Sequence, residues 1–412
     1  MTQVGPWQTL ALGAAIALSG CGGPDRSEGA ASEHQRSSYG EGEVTTATTG
    51  IPLRTLPLCG LSAFPLRRPG FVVLPYAPRS APTLDVDFAL PTWLSILAYK
   101  SRSQIVSQLR DIGFRSENIV MLEDAVGAGA VLPGTIQGFM AQGARGRFVV
   151  FRGTSDPLDW IVNLDFTLDS RAGNLVARGG AHSGFYAGAL AATGLVKSMQ
   201  AYRGPGSDLP VWIVGHSLGG AYASLFGLLA ASEGLPVGAV VTIGQPRAAN
   251  RALAALMTER LHGRLFRLVK ADDIFPHFPP TPSAATRATS FLTRVNSVAG
   301  DRVREELKAA GFAHAGQELV LDGGTLRATH NLTDADDEHA FEQLQRLVGP
   351  GVGAGTQPLR QWTGIAERIL SHRPEPFFCA LAKGLLKVIQ RYTNVKLNPA
   401  TTTRQVSMIR RP

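Results

Sequence analysis

One short stretch of the chain constrains its fold more than any other. Residues 211–220, VWIVGHSLGG, place Ser217 between an apolar run typical of a buried strand and a run rich in Ala and Leu that is typical of a helix. Gly215 and Gly219 lie two residues before and two residues after this serine. Where a strand turns sharply into a helix the apex is crowded, and glycine on both sides removes Cβ atoms that would clash. The pattern therefore predicts a strained turn that exposes the Ser217 hydroxyl at the edge of a sheet.

The surrounding sequence predicts what kind of sheet this is. Strand patterns cover residues 147–152, 210–215, 238–244 and 265–270, and the clearest helical patterns cover 92–110 and 188–202. Strands that alternate with helices favour a mostly parallel central sheet with helices on both faces. A serine turn of this kind on such a sheet is typical of the α/β-hydrolase fold, which is the fold class that we predict.

The net charge of +8 at pH 7 belongs to one end of the chain. Residues 360–412 contain ten Lys or Arg and two Glu, so this segment carries the whole excess and the preceding residues are near neutral. A nucleic-acid-binding domain would instead spread its basic residues over the folded body. We therefore expect no nucleic-acid partner.

Composition divides the chain into five parts. We expect a signal peptide at 1–20 and a flexible tether, rich in Gly, Ser and Thr, at 21–50. A Pro-rich lead-in at 51–83 precedes the hydrolase domain at 84–350, which ends near a Gly-rich break. The remaining residues, 351–412, form a basic C-terminal extension.

The N-terminus predicts export. A short apolar run ends in L-S-G-C at 18–21, which resembles a bacterial lipobox, although no Lys or Arg precedes the run. In that type of signal, cleavage leaves the cysteine, here Cys21, as a lipid-carrying N-terminus. We expect a protein exported from a bacterial cell and anchored by lipid in the cell envelope, with secretion as the alternative. In an oxidising compartment Cys59 and Cys379 could pair.

The chemistry predicted for Ser217 needs partners. A serine hydroxyl is a poor nucleophile unless a base takes its proton, an acid orients that base and donors bind the oxyanion. In this fold the acid and then a histidine follow the serine along the chain. Asp272 and Asp273 both follow a predicted strand, and both qualify as the acid. The N–H of Leu218 and one from the loop at 153–154 qualify as oxyanion donors.

Six histidines follow the serine: His262, His277, His314, His330, His339 and His372. The first precedes the acid, and His277 lies only four residues beyond Asp273. His314 falls in a strand-like segment, and we assign His372 to the basic tail. Position along the chain does not decide between His330 and His339.

Seven motifs together resemble the class 3 lipases, the family of the fungal triacylglycerol lipases and the plant phospholipase A1-like enzymes. They are LSILAY at 94–99, FRGTSDPLDWIVNLDF at 151–166, AHSGFY at 181–186, GHSLGGAYASL at 215–225, TIGQPRAAN at 242–250, DIFPHFPP at 273–280 and GQELVLD at 316–322. The resemblance covers roughly residues 94–348.

This resemblance implies roles for particular residues. Asp273, which begins the pattern D-I-x-P, matches the acid of the family, and Thr154 matches its second oxyanion donor. The family's base follows an acidic residue near a final helix, which favours His339 in DDEHAF over His330. The region after Thr154 matches the family's lid, whose lipid-facing side chains would be Leu158, Trp160, Ile161 and Val162.

The implied function is that of a serine carboxylic-ester hydrolase acting on lipids, through an acyl-enzyme intermediate on Ser217 with Asp273 and His339. We expect a triacylglycerol or acylglycerol lipase that works at a lipid–water interface as a monomer, with no metal or cofactor. A phospholipase A1 or lysophospholipase is the alternative within this class. A non-catalytic lipid-binding envelope protein on the same fold is a third possibility.

The basic tail contains one further pattern. Residues 377–392 place apolar side chains at helical spacing, with Lys and Arg on another face. Such a helix either lies on an anionic membrane or packs against the domain.

Overall fold

The computed structural model describes residues 88–125, 136–144, 146–154, 166–171, 179–295, 301–322, 325–329, 331–348 and 371–381. Its strands are β1 (Ile119–Met121), β2 (Gly138–Gly143), β3 (Gly146–Phe151), β4 (Leu168–Asp169), β5 (Ala181–His182), β6 (Val211–His216), β7 (Val237–Ile243), β8 (Ala249–Asn250), β9 (Leu265–Val269), β10 (Phe312–Ala313), β11 (Gln317–Asp322) and β12 (Thr325–Thr329).

Within these ranges, eight strands form the central sheet in the order β1-β2-β3-β6-β7-β9-β11-β12. The five strands from β3 to β11 are parallel, and antiparallel strands extend the sheet at both ends. A small antiparallel sheet has the order β10-β8-β5-β4. Because parallel strands end at one edge, the loops after β3, β6, β7 and β9 meet there. That edge is where this fold presents its functional side chains.

The helices are α1 (Ala89–Leu97), α2 (Arg102–Asp111), α3 (Leu122–Ala125), α4 (Ser183–Ala191), α5 (Gly194–Ala201), α6 (Leu218–Ser232), α7 (Arg251–Arg260), α8 (Ala285–Val295), α9 (Asp301–Ala310) and α10 (Asp334–Val348). The single helix expected over 92–110 is two helices. Ser101 begins the second one, because its side chain accepts from the Gln104 N–H while the Gln104 side chain accepts from the Ser101 N–H. Within the described ranges, no helix has the length and apolarity that crossing a membrane requires.

Apolar side chains cover both faces of the sheet. One core cluster joins α1 and α2 to one face, and a second joins α4, α6 and α7 to the other. The central strands read as continuous apolar runs, such as FVVF in β3, because both of their faces are buried. The mostly parallel sheet with helices on both faces confirms the predicted α/β-hydrolase class.

A segment beyond the expected domain boundary belongs to the first core cluster. Residues 371–372 and 374–381 are helical, and Phe377, Phe378 and Leu381 are buried among side chains of the sheet and α1. The boundary at 350 is therefore wrong, because it assigns these core residues to the extension. The start of the predicted tail helix packs against the domain. Cys379 is disulfide-bonded, and its partner lies outside the described residues.

The other divisions of the chain, at 1–20, 21–50 and 51–83, lie outside the described residues, as do Cys21 and Cys59. Export, lipid attachment and the tether stay predictions.

We predict that Phe377→Ala lowers the free energy of unfolding by about 3–5 kcal/mol, because it removes a fully buried aromatic side chain and leaves a cavity. Phe377→Leu keeps most of the apolar volume and should cost much less. Urea unfolding of both variants measures the difference. Equal stabilities of the wild type and the alanine variant would contradict membership of the core.

Candidate active site

The turn between β6 and α6 has the strain that its glycines predict. Ser217 adopts φ +56° and ψ −128°, a backbone conformation that costs a non-glycine residue free energy. A Cβ atom on Gly215 would lie 2.0 Å from the Gly219 carbonyl oxygen, and one on Gly219 would lie 2.4 Å from the Phe151 carbonyl oxygen. Only glycine permits these contacts, so the strained turn is confirmed.

The expected exposure of the serine hydroxyl is wrong. Ser217 is 1% exposed, and its Oγ is buried without a hydrogen-bond partner among the described residues. The loop after β3 packs against the turn so closely that a Cβ atom on Gly153 would lie 2.9 Å from the Ser217 Cβ. A buried hydroxyl without a partner has a high free energy, which makes it available to a ligand group.

The loop after β9 and residue 372 form a buried acid–histidine pair. The Nδ1–H of His372 donates to Asp273, at 3.0 Å from Oδ1 and 2.9 Å from Oδ2. The backbone N–H of Phe275 also donates to Asp273 Oδ1 at 3.0 Å, and the Phe275 ring stacks on His372 at 3.7 Å between ring centroids. His372 Nε2 is buried without a partner among the described residues. With the proton on Nδ1, the neutral imidazole leaves an acceptor lone pair on Nε2.

Main-chain contacts bring this pair to the serine turn. The Ser217 N–H donates to the Ile243 carbonyl at 2.8 Å, and the next residue, Gly244, lies against the pair. A Cβ atom on Gly244 would lie 2.7 Å from His372 Cε1 and 2.8 Å from Asp273 Oδ2. The structure therefore gathers Ser217, Asp273 and His372 at the carboxyl edge of the parallel strands.

The predicted pairing of His339 with Asp273 is wrong. His339 is exposed on α10, and its Nε2 accepts from the Gln343 side chain at 2.6 Å. Asp337, two residues earlier, is the buried residue of this turn. Successive helix positions rotate by about 100°, so side chains two positions apart point to nearly opposite faces. The acidic residues before His339 resemble the family's pattern, but α10 turns the histidine itself away from the site. His330 lies outside the described residues.

Asp337 has its own buried partners. It accepts from Arg247 at 2.7 Å, from His277 at 2.9 Å and from the Thr281 N–H at 3.0 Å. Burial alone would raise the pKa of Asp337, but Arg247 and His277 outweigh it and lower that pKa. This cluster ties α10 to the loop that follows Asp273, so it is a structural ion pair.

The sequence analysis did not select His372, because the many Lys and Arg of residues 360–412 led us to assign it to a basic tail outside the domain. The signal was present in Phe377, Phe378 and Leu381, whose spacing fits a buried helix face just after the histidine. Just before the histidine, Ser371 Oγ accepts from Lys270 Nζ at 2.5 Å, which ties the segment 371–381 to the end of β9.

The other predicted site residues lie in different surroundings. Leu218 is the first residue of α6, and an N–H at that position has no partner within its own helix. Thr154 follows Gly153 after the end of β3. Asp272 is exposed and pairs with Lys270 at 3.5 Å, so it does not share the position of Asp273. The four expected lid residues, 158 and 160–162, lie outside the described residues.

We predict that Gly153→Ala destabilises the protein by about 1–3 kcal/mol, because the added methyl would overpack the turn. It would lie 2.5 Å from Tyr99 Oη and 2.6 Å from the His216 carbonyl oxygen. Gly194→Ala is the matched control, since a Cβ atom there meets nothing within 4 Å. Urea unfolding should separate the two variants, and equal unfolding free energies would refute the packing argument.

Residues 148–283 match the family model for Lipase (class 3). The chain is 27% identical over 193 residues to the secreted mono- and diacylglycerol lipase 1 of Fusarium solani, covering 46% of this chain and 49% of that protein. It is 33% identical over 179 residues to phospholipase A1-II 4 of Oryza sativa subsp. japonica, covering 37% of this chain and 44% of that protein. The chain thus spans about half the length of these curated relatives.

Among solved structures, the triacylglyceride lipase of Rhizomucor miehei aligns with 61% of this chain and 85% of its own, at 24% identity and a TM-score of 0.42. The segment matched by the family model contains Ser217 and Asp273 but ends before His339 and His372, so it does not bear on the choice of histidine. Residues 148–283 of this chain are thus similar to the class 3 lipases.

Proposed function

We propose that this chain is a serine carboxylic-ester hydrolase that acts on lipid esters, with Ser217 as nucleophile, His372 as base and Asp273 as the acid that orients the base. One observation carries the proposal: a buried histidine is hydrogen-bonded to a buried aspartate beside a strained turn that carries a buried serine hydroxyl. Neither the second nitrogen of this histidine nor the serine hydroxyl has a hydrogen-bond partner among the described residues. This arrangement supplies a nucleophile, a base and an orienting acid, which are the three groups that nucleophilic catalysis by serine uses.

In the first step of the proposed reaction, Ser217 Oγ attacks the ester carbonyl carbon while His372 Nε2 takes the hydroxyl proton. The imidazolium that forms is stabilised by Asp273, which already accepts from Nδ1. The tetrahedral intermediate carries its negative charge on the former carbonyl oxygen. We assign the binding of that oxygen to the backbone N–H groups of Leu218 and Thr154.

The intermediate collapses when His372 gives its proton to the leaving alcohol, which frees the alcohol and leaves an acyl-enzyme on Ser217. A water molecule then replaces the alcohol. His372 takes a proton from the water, the hydroxide attacks the acyl carbon, and the fatty acid leaves as the serine regains its proton. No step in this sequence needs a metal or a cofactor.

For the substrate, we propose acylglycerols. One relative is named a mono- and diacylglycerol lipase, and others are named phospholipases A1, so glycerolipid esters are what these names have in common. A phospholipid is the second candidate, favoured by the phospholipase relatives. A hydrolysis panel of di- and triacylglycerols, phosphatidylcholine, lysophosphatidylcholine and p-nitrophenyl esters of several chain lengths separates the two. In this proposal Leu158, Trp160, Ile161 and Val162 supply the lipid-facing side of a lid.

We predict that Ser217→Ala and His372→Ala each lower kcat on a soluble p-nitrophenyl ester by at least about 10³-fold, because each removes a group that acts in the chemical step. His339→Ala should keep the wild-type rate, since that side chain is exposed and bonded to its own helix. Loss of activity in the His339 variant, with retention in the His372 variant, would overturn the assignment of the base. Full activity in Ser217→Ala would overturn the proposed function itself.

We also propose that Cys21 carries lipid and holds the enzyme at the envelope, in line with the lipobox-like sequence at 18–21. The word "secreted" in the name of the Fusarium solani relative agrees with export in general. We predict that a bacterial host fed a palmitate analogue labels the full chain, and that Cys21→Ser abolishes the label. A label that survives this substitution would exclude Cys21 as the anchor.

A further inference from the structure

A series of hydrogen bonds, called the relay below, links Gly153, Tyr99, His216 and His372 next to the proposed catalytic residues. The Gly153 N–H donates to Tyr99 Oη at 3.1 Å, and Tyr99 Oη lies 2.7 Å from His216 Nδ1. The other ring nitrogen, His216 Nε2, lies 2.7 Å from the main-chain carbonyl oxygen of His372. The relay thus joins four segments that are far apart in sequence: the residues just after α1, the loop after β3, the serine turn and the segment 371–381.

The donor and the acceptor of every hydrogen bond in the relay can be assigned. A carbonyl oxygen only accepts, so His216 Nε2 carries a proton and donates to His372. Burial, together with the nearby His372 ring, keeps the pKa of His216 well below its usual range, so the imidazole is neutral and Nδ1 accepts. Tyr99 therefore donates its O–H to His216 and accepts from Gly153. Burial also raises the pKa of Tyr99, which keeps that proton on the phenol.

Three residues of this series, Gly153, His216 and His372, each belong to or adjoin one part of the proposed site. Gly153 precedes Thr154, which we assign to the oxyanion hole. His216 precedes Ser217 directly. The carbonyl that accepts from His216 belongs to His372, whose ring is stacked on Phe275 and bonded to Asp273. A change at Tyr99 is thus transmitted to the oxyanion loop on one side and to the base on the other.

We propose that Tyr99 and His216 are positioning residues. They hold the oxyanion loop, at Gly153 and Thr154, and the main chain of His372 at fixed positions relative to Ser217. This inference rests on the proposed function, because it assigns His372 as the base. Neither side chain takes part in the chemical step. Their contribution is to keep reacting groups at the separations that proton transfer and oxyanion binding require, where displacements near 1 Å are costly.

The Tyr99 hydroxyl gives the most direct test of the relay, because it takes part in two of the three hydrogen bonds. Tyr99→Phe keeps the ring and removes one atom, which leaves the Gly153 N–H without its acceptor and His216 Nδ1 without its donor. Tyr222→Phe is the matched control, because Tyr222 is also a buried tyrosine whose ring packs against Phe151, and no hydrogen bond of its hydroxyl is found among the described residues.

We expect Tyr99→Phe to lower kcat on a soluble short-chain p-nitrophenyl ester by between about 10- and 100-fold. KM should change by less than about twofold, because loss of positioning affects the chemical step and leaves substrate binding in place. Covalent labelling of Ser217 by a fluorophosphonate should slow by a similar factor. Tyr222→Phe should leave kcat, KM and the labelling rate unchanged.

Two substitutions at His216 test the two hydrogen bonds of its ring separately. Asn places an acceptor near the position of Nδ1, so His216→Asn keeps the partner of Tyr99 and loses the donor to His372. Gln reaches the position of Nε2, so His216→Gln keeps the donor to His372 and loses the partner of Tyr99. If the relay acts as a unit, adding Tyr99→Phe to His216→Gln lowers kcat no further, whereas independent effects would multiply.

The outcomes distinguish failure of this inference from failure of the proposed function. Unchanged kcat and labelling in Tyr99→Phe, with Ser217→Ala inactive, would overturn the relay and leave the hydrolase assignment standing. A fall in kcat that matches a fall in the folded fraction, measured by circular dichroism at the assay temperature, would also overturn it. Activity in Ser217→Ala would remove the basis of both.

Discussion

The hydrogen bond between Asp273 and His372 is the contact on which the rest of the site depends. It joins the loop after β9 to a segment 99 residues further along the chain, and both side chains are buried. A carboxylate removed from water costs several kcal/mol unless donors replace its hydration. Here the Phe275 N–H and the His372 ring supply those donors, and the Phe275 ring covers the imidazole. The same bond determines which nitrogen of His372 is left as an acceptor.

Close packing of main chain around the serine turn makes this contact possible. The loop after β3 approaches the turn at Gly153, the turn crosses itself at Gly215 and Gly219, and the loop after β7 meets His372 at Gly244. At each of these four positions a Cβ atom would lie within 3 Å of another atom. The strained backbone of Ser217 accompanies that close packing.

Local sequence was sufficient to predict much of this arrangement. The strands and the turn at Ser217 follow from short patterns, because apolar periodicity and glycine sterics act within a few residues. The position of Asp273 after β9 also follows, since the carboxyl ends of parallel strands meet at one edge. The choice of histidine did not follow. His339 matches a local pattern, yet α10 turns it outward and gives its buried position to Asp337, which binds Arg247.

The sequence by itself therefore determined the class of fold and the strained serine, because each depends on interactions between near neighbours in the chain. It also placed two candidate acids, Asp272 and Asp273, at the end of β9. Only the tertiary structure decided which histidine meets Asp273, and where the folded body ends. Both depend on how Phe377 and Phe378 pack into a core formed mainly by residues more than a hundred positions earlier. No local pattern encodes that contact. It arises because burial of those rings brings the segment before them, with His372, to the edge of the sheet.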